Sequence, residues 1–297
     1  MHWLWSAIHE QFRSSPVTLS RLVEWSGGDA ELLGPEGLSL LAQVMGAKVA
    51  ERVEVARQRF GEDQSTFDDL EQQGVECLIK TDPAYPERLL SSSRFPVLYV
   101  WGGSDALAAR SIGICGSRHA SPDALRHARG FGRIAAEQSL IVVSGHARGI
   151  DEEAHAGALE GGGQTVAVLP EGMEGFKPRS SLRPLINTDN LIAVSAFPPR
   201  MPWRVHNAME RNKLICGLSN GVVVVEAGET GGTINAGREC LTQRKPLWVI
   251  EYTNNPSAKG NKLLLGEGAL PLQSKTALKT ALASISGELA LVPGRLL

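Results

Sequence analysis

The sequence has no apolar run of 18 residues, the length at which a segment becomes a membrane-span candidate, and its opening Met1-His2-Trp3-Leu4-Trp5 has no basic region ahead of an apolar core. No membrane partner and a cytoplasmic location are therefore expected. Cysteine is scarce. Cys77, Cys115, Cys216 and Cys240 stand singly, without paired ligand spacing or a disulfide framework, so neither a bound metal nor an oxidised scaffold is expected. Net charge is also missing: 30 Lys+Arg against 32 Asp+Glu leave a formal charge of −2. No global basic field advertises a polyanion, and any nucleic-acid binding must come from a local patch.

What is present suits a globular chain of about two domains, since 297 residues are shared at roughly 150 per domain. Hydrophobic residues make up 42% and charged residues 21%, enough for a proper core. Residues 1–75 read as a small helical module. Leu22-Val23, Leu32-Leu33, Leu38, Leu40-Leu41 and Val44-Met45 recur at helical spacing, with Gly27-Gly28 and Gly34-Pro35 as breaks. Thr81–Pro86 reads as a turn-rich linker, and Pro96–Val100 as an edge strand, where a starting proline is tolerated. From there strands alternate with helices over 76–272: Ser111–Cys115, Leu140–Val143, Thr165–Leu169, Leu191–Ser195, Gly221–Val225 and Leu247–Ile250. The expected fold is α/β, a Rossmann-like doubly wound parallel sheet with a small helical N-terminal module. A short tail over 273–297, with one helix through Leu278–Ile285, completes the expected organisation.

Three strands end in unusual loops. They carry Gly116-Ser117-Arg118, then Ser144-Gly145-His146-Ala147-Arg148-Gly149, and Glu226-Ala227-Gly228-Glu229-Thr230-Gly231-Gly232-Thr233. In a doubly wound sheet, ligands sit beyond the carboxyl ends of the strands, so the three loops are expected to converge on one ligand. Glycines allow close backbone approach, helix N-termini favour anions, and Arg118 and Arg148 add planar forks suited to phosphate oxygens. Salt bridges to Asp151, Glu152 or Glu226 are the plainer reading of the same arginines. None of the loops is a G-x-G-x-x-G fingerprint or ends in the Lys-Ser/Thr of a P-loop, so neither NAD chemistry nor ATP hydrolysis is indicated.

Arg211-Asn212-Lys213 suits a backbone phosphate and a base edge as well as it suits a polar helix turn. His155 stands four residues into a helix, where a lone histidine packs or caps more often than it catalyses. No nucleophile-base-orienter set is legible, and Glu226 and Glu229 are the only carboxylates near the third loop. The reading is a binding protein, not an enzyme, with no cofactor. The alternative is a nucleotide-ligand sensor, or a hydrolase of nucleotide-derived ligands, in phage defence.

At these residues the chain resembles the DprA/Smf family of DNA-processing proteins. The marks are Asp82-Pro83-Ala84-Tyr85-Pro86, Gly116-Ser117-Arg118 with Ser121, and Ser144 through Asp151 with Ala154-His155. They continue through Gly162–Val168, Arg211–Ile215, Val224–Ala227 and Gly266–Ala269. The resemblance implies an extended Rossmann domain that binds single-stranded DNA, dimerises and helps load a RecA-type recombinase during transformation. By position it carries the DNA pocket onto Gly116, Ser117, Arg118, Ser144, Gly145, Arg148, Arg211 and Asn212. Gly149, Lys213, Gly231, Gly232 and Thr233 join these as loop and helix-start candidates. The family's Phe-Pro-x-Arg-Asn-Arg stretch stands here as Asn207-Ala208-Met209-Glu210-Arg211-Asn212-Lys213, without the aromatic-proline start and with one arginine fewer. A homodimer contact is expected over 215–270, from Ile215, Leu218 and Leu263-Leu264-Leu265. Phe176 and Trp203 are the only rings expected near the loops, so base stacking is expected to add little.

Overall fold

The computed structural model describes residues 2–187 and 189–286. The chain divides into two compact units. One comprises Met1–Ala108, Leu169–Lys177 and Ile192–Asn207; the other comprises Ala109–Val168, Pro178–Leu191 and Ala208–Leu297.

The first unit opens with five helices: α1 (His2–Phe12), α2 (Pro16–Ser26), α3 (Pro35–Met45), α4 (Ala47–Glu62) and α5 (Gln64–Gln72). Trp5, Ile8 and Phe12 recur on one face of α1 and are fully buried with Leu19, Leu22, Leu33 and Leu41. α2 stops at Gly27, whose φ of 61° puts it in the left-handed region, a conformation that costs glycine nothing. Two strands follow, β1 (Val75–Ile79) and β2 (Val97–Trp101), which pair antiparallel with Val75 opposite Trp101.

The expected boundary at residue 75 therefore moves to 108. Val75, Cys77, Ile79, Val97 and Tyr99 bury their side chains in the same core as Trp3, Trp5 and Phe67, so both strands belong with the helices. Val97–Trp101 is also no edge strand. It lies between β1 and a later strand, with Tyr99 opposite Ser195. Pro96 is tolerated because it precedes the first paired residue.

In the second unit the strands and helices alternate. They are β3 (Ser111–Cys115), α6 (Pro122–Glu137), β4 (Ile141–Gly145), α7 (Ile150–Glu160) and β5 (Thr165–Leu169). β6 (Leu191–Ser195) pairs with β2 in the first unit's sheet. After α8 (Val205–Leu218) come β7 (Gly221–Val224), α9 (Gly232–Thr242), β8 (Leu247–Ile250), α10 (Lys259–Gly266), β9 (Leu270–Leu272) and α11 (Lys275–Ser286). The strands pair in parallel in the order β5-β4-β3-β7-β8-β9. Numbered within the unit, that is 3-2-1-4-5-6, the doubly wound order of a Rossmann sheet, with its switch point between β3 and β7.

Every residue of β3, β4 and β5 is buried, as expected of a parallel sheet covered on both faces. Ile112, Ile114, Val142, Val223 and Ile250 pack against Ala128, Phe131, Ile150 and Ala154 from the helices. α11 covers the expected tail helix, and the rest of that tail, 287–297, lies outside the described residues.

The apolar side chains expected to form a dimer contact are mostly interior. Ile215 is 1% exposed, Leu218 2% and Leu264 0%, because α8 and α10 turn those positions toward the sheet. Leu263 alone of the named residues stays substantially exposed. No helix among the described residues is long and apolar enough to cross a membrane.

Candidate functional site

The three loops leave the carboxyl ends of β3, β4 and β7, the adjacent strands that flank the switch point. Hydrogen bonds join them into one surface. The loop after β3 is tied to the loop after β7 through Glu226, which is fully buried. Its backbone oxygen accepts from the Ser117 amide at 2.8 Å. Its carboxylate accepts from the Ser121 hydroxyl at 2.6 Å, the Ser121 amide at 3.1 Å and Asn255 Nδ2 at 2.8 Å. Ser121 in turn accepts from the Ala124 amide and caps α6. A buried anion needs such donors to offset its desolvation. Glu226, one of two carboxylates that the sequence offered for chemistry, is spent on loop order.

The loop after β4 is locked from both sides. A side chain at Gly145 would overlap the Arg211 guanidinium and the Asp151 carboxylate. Gly149 has a φ of 81°, and its backbone lies against the carbonyls of Ser117 and Arg118. The Ile150 amide donates to the Ser117 carbonyl at 3.3 Å, and the Ser144 hydroxyl donates to the Ile114 carbonyl at 2.6 Å.

Arg211 is 5% exposed. Its Nη1 donates to the Val168 carbonyl at 2.8 Å and lies 4.0 Å from Asp151 Oδ2. Burial raises the pKa of Asp151, while Arg211, the Ser144 hydroxyl and the Ala147 amide pull it the other way. Arg211 therefore orders the loop from beneath it. Its guanidinium is buried and does not reach the loop surface.

His155 is fully buried between Gly145 O, 2.7 Å from Nε2, and Thr165 Oγ1, 2.6 Å from Nδ1. Burial lowers its pKa to about 4. A neutral ring whose Nε2–H donates to the Gly145 carbonyl fits those neighbours, so the histidine pins the end of β4 to β5. His146 is likewise lowered to about 4 by burial, with Arg179 and Arg211 adding to the effect.

Arg118 and Arg148 are exposed on their loops. Arg118 shares Asp151 with Arg211, both cations helping to hold its carboxylate charged. Glu152 lies 3.9 Å from Arg179 and accepts from Ser181, and Glu226 holds Ser121 and Asn255. The cations of α6 form a separate charged face. Arg126 pairs with Asp123, Arg129 with Glu153 and Glu160, and Arg133 with Glu160.

Of the remaining candidates, Asn212 donates from Nδ2 to the Gly232 carbonyl at 3.0 Å and ties α8 to the start of α9. Lys213 pairs with Glu210 one turn away at 2.5 Å. Gly231, with a φ of 105°, and Gly232 are exposed where α9 begins, and Thr233 is half-buried. The N-termini of α6, α7 and α9 thus begin at the three loops; α9 carries no acid in its first turn and favours anions most, whereas α6 has Asp123 and α7 has Asp151, Glu152 and Glu153 in theirs.

Two supporting residues escaped the sequence reading. Asn261 Nδ2 donates to the carbonyls of Val225 and Ile250, both at 2.9 Å, and its Oδ1 accepts from the Ala227 amide at 2.7 Å. It plugs the ends of β7 and β8 and shapes the third loop. Arg179 donates to the His146 carbonyl at 2.9 Å and holds the second loop. The only sequence signal for Asn261 was an amide in an otherwise apolar and basic helix, and for Arg179 there was none. Among the described residues, no group of three or more His, Cys, Asp or Glu side chains could hold a metal ion.

Comparison with known proteins places these features in a family. The family model for DNA recombination-mediator protein A matches residues 76–283. Protein Smf of Escherichia coli is 34% identical over 206 residues, which are 68% of this chain and 55% of that protein. DNA processing protein DprA of Streptococcus pneumoniae is 31% identical over 172 residues, 57% of this chain and 60% of the relative. The matches thus span little more than half the length of those two relatives. The X-ray structure of DNA processing protein A from Streptococcus pneumoniae superposes with a TM-score of 0.67 at 23% identity, covering 82% of this chain and 90% of that one. The Helicobacter pylori protein, whose structure concerns its single-stranded DNA binding mode, gives 0.61 at 22% identity, covering 72% and 96%. At these identities the structures establish a common fold.

Proposed function

The chain belongs to the DNA recombination-mediator protein A family, and from that premise we propose that it binds single-stranded DNA along the carboxyl edge of its parallel sheet. The observation that carries the proposal is the joined loop surface. Glu226 ties the first loop to the third and Gly149 seats the second against the first, so Arg118 and Arg148 are presented on a prearranged backbone. Phosphates are expected at Arg118, Arg148 and the backbone around Gly231, Gly232 and Thr233. Arg211 and Asn212 act as positioning residues beneath them. Direct charge to phosphate, with helix N-termini alongside, suits a strand held by its backbone rather than read base by base.

Two things support a binding role without chemistry. Glu226 is fully engaged by hydrogen-bond donors, and His155 is sealed as a neutral strand pin. By extension we propose that the protein works in the cytoplasm as a homodimer that assists a RecA-type recombinase in DNA uptake, with exposed Leu263 and Leu270 available to a partner surface.

The test is fluorescence anisotropy of a labelled oligodeoxythymidylate titrated across a salt series. Binding whose logarithm falls linearly with log salt, at about −0.7 per neutralised phosphate, is the expected result. No association at low salt would refute the reading.

A further inference from the structure

The first unit carries a tryptophan on its surface. Trp203 is 49% exposed and Val205 65%, whereas Trp3, Trp5 and Trp248 are buried and Trp25 and Trp101 half-buried. Tryptophan is the largest of the apolar side chains, and an exposed one suits recognition of a ligand with its own flat rings. Beside Trp203, Arg204 and His206 are both exposed, and no Asp or Glu occurs in the sequence from Asn190 to Met209. In a chain with slightly more acids than bases, that local balance favours a polyanion.

The segment is also held in place. The Met201 amide donates to the Pro198 carbonyl, and the Gly172 amide to the Met201 carbonyl, both at 2.8 Å. Buried Asn207 donates from Nδ2 to the Pro202 carbonyl at 3.4 Å. Pro198, Pro199 and Pro202 restrict φ, and Arg200 is anchored to Asp63, Thr66 and Glu174. Trp203 therefore projects from a fixed turn, and ordering it on a ligand forfeits little backbone entropy.

Resting on the DNA-binding reading, we propose that Trp203 is a base-stacking platform for single-stranded DNA, with Arg204 and His206 as its phosphate contacts. Every base has a π-face, so such a platform adds affinity without sequence preference. It reverses the expectation that stacking adds little. Trp and Arg also mark protein–protein hot spots, but past Arg200, whose charge is met by Asp63 and Glu174, Arg204 follows Trp203 with no acid next to it in the chain, which matches nucleic acid better than a mixed-charge protein rim.

The experiment compares wild type, Trp203→Ala and Trp203→Phe on an oligodeoxythymidylate of about 20 nucleotides, ample for a single-strand site, and on an abasic strand of equal length. Intrinsic fluorescence is read alongside anisotropy. Trp203→Ala is expected to weaken binding to the base-bearing strand about 10-fold and to remove most of the quenching. Trp203→Phe should restore much of the affinity, and the abasic strand should not distinguish the three proteins. Equal affinity of all three for the base-bearing strand would overturn the inference and return the patch to a protein partner. Equal weakening on both strands would overturn it too, since the loss would not be stacking. Failure of the wild type to bind either strand would instead refute the DNA-binding reading itself, and this inference with it.

Discussion

The Ser121 hydroxyl donates to the Glu226 carboxylate at 2.6 Å across a sequence separation of 105 residues. That bond ties two glycine loops together and gives the carboxylate a structural part. Glu226→Gln keeps the shape but loses a charge-assisted acceptor, which costs about 2 kcal/mol. The expected outcome is a lower melting temperature and weaker DNA binding, with no turnover of ATP or nucleoside monophosphates by the wild type to lose. Turnover that disappears in Glu226→Gln would reverse the assignment.

Arg211 and Asp151 form a buried pair, so removing one partner strands the other. Arg211→Met is expected to destabilise the protein by about 3 kcal/mol, and Asp151→Asn in the same chain should recover part of it. Gly145→Ala should be as damaging, because the new methyl meets the guanidinium. Urea denaturation of these variants checks both points. A surface role for Arg211 would instead give reduced affinity at unchanged stability.

Arg118 and Arg148 are expected to behave in the opposite way. Arg118→Glu or Arg148→Glu should reduce DNA affinity and flatten its salt dependence by about 0.7 for each phosphate that is no longer neutralised, and Arg148→Glu should leave the melt unchanged. Arg126→Glu and Arg133→Glu, on the paired face of α6, should change affinity much less. Equal losses at all four positions would mean a diffuse field rather than a site.

Buried His9 and His155 and half-buried His146 are expected to make the fold sensitive to acid. His155 and His146 are lowered to about 4 and His9 to about 3, in each case chiefly by burial. Below the unfolded value of 6.5 the unfolded chain takes up protons that the folded one refuses. Stability is then fully present above pH 6.5 and falls as pH drops toward 4, with each histidine contributing up to about 1.4 kcal/mol per pH unit. Denaturant midpoints measured between pH 7 and pH 4 should show this fall, with a shallower slope in His155→Gln. An unchanged slope in that variant would show that His155 is not among the responsible groups.

Local chemistry was enough to determine much of this protein. Branched runs ending in Ser144-Gly145 or Cys115-Gly116 have few folded options besides a buried strand and a turn, and the helical stretches between them require parallel crossovers. The α/β class and the three glycine loops that carry Arg118 and Arg148 followed from spacing. β1 did not, because five residues after Gly74 carry too little pattern to compete with a linker, and their strand character comes from pairing with Val97–Trp101. Nor was it legible that Arg211 sits inside while Arg118 sits outside. Both are arginines near glycines, and the difference arises only because Gly145, 66 residues earlier, leaves a space that a guanidinium can fill beside Asp151. Glu226, Asn261 and Arg179 likewise owe their roles to carbonyls and hydroxyls that folding brings next to them. Periodicity reports which way a side chain points from its own element, and only packing decides what stands there to meet it.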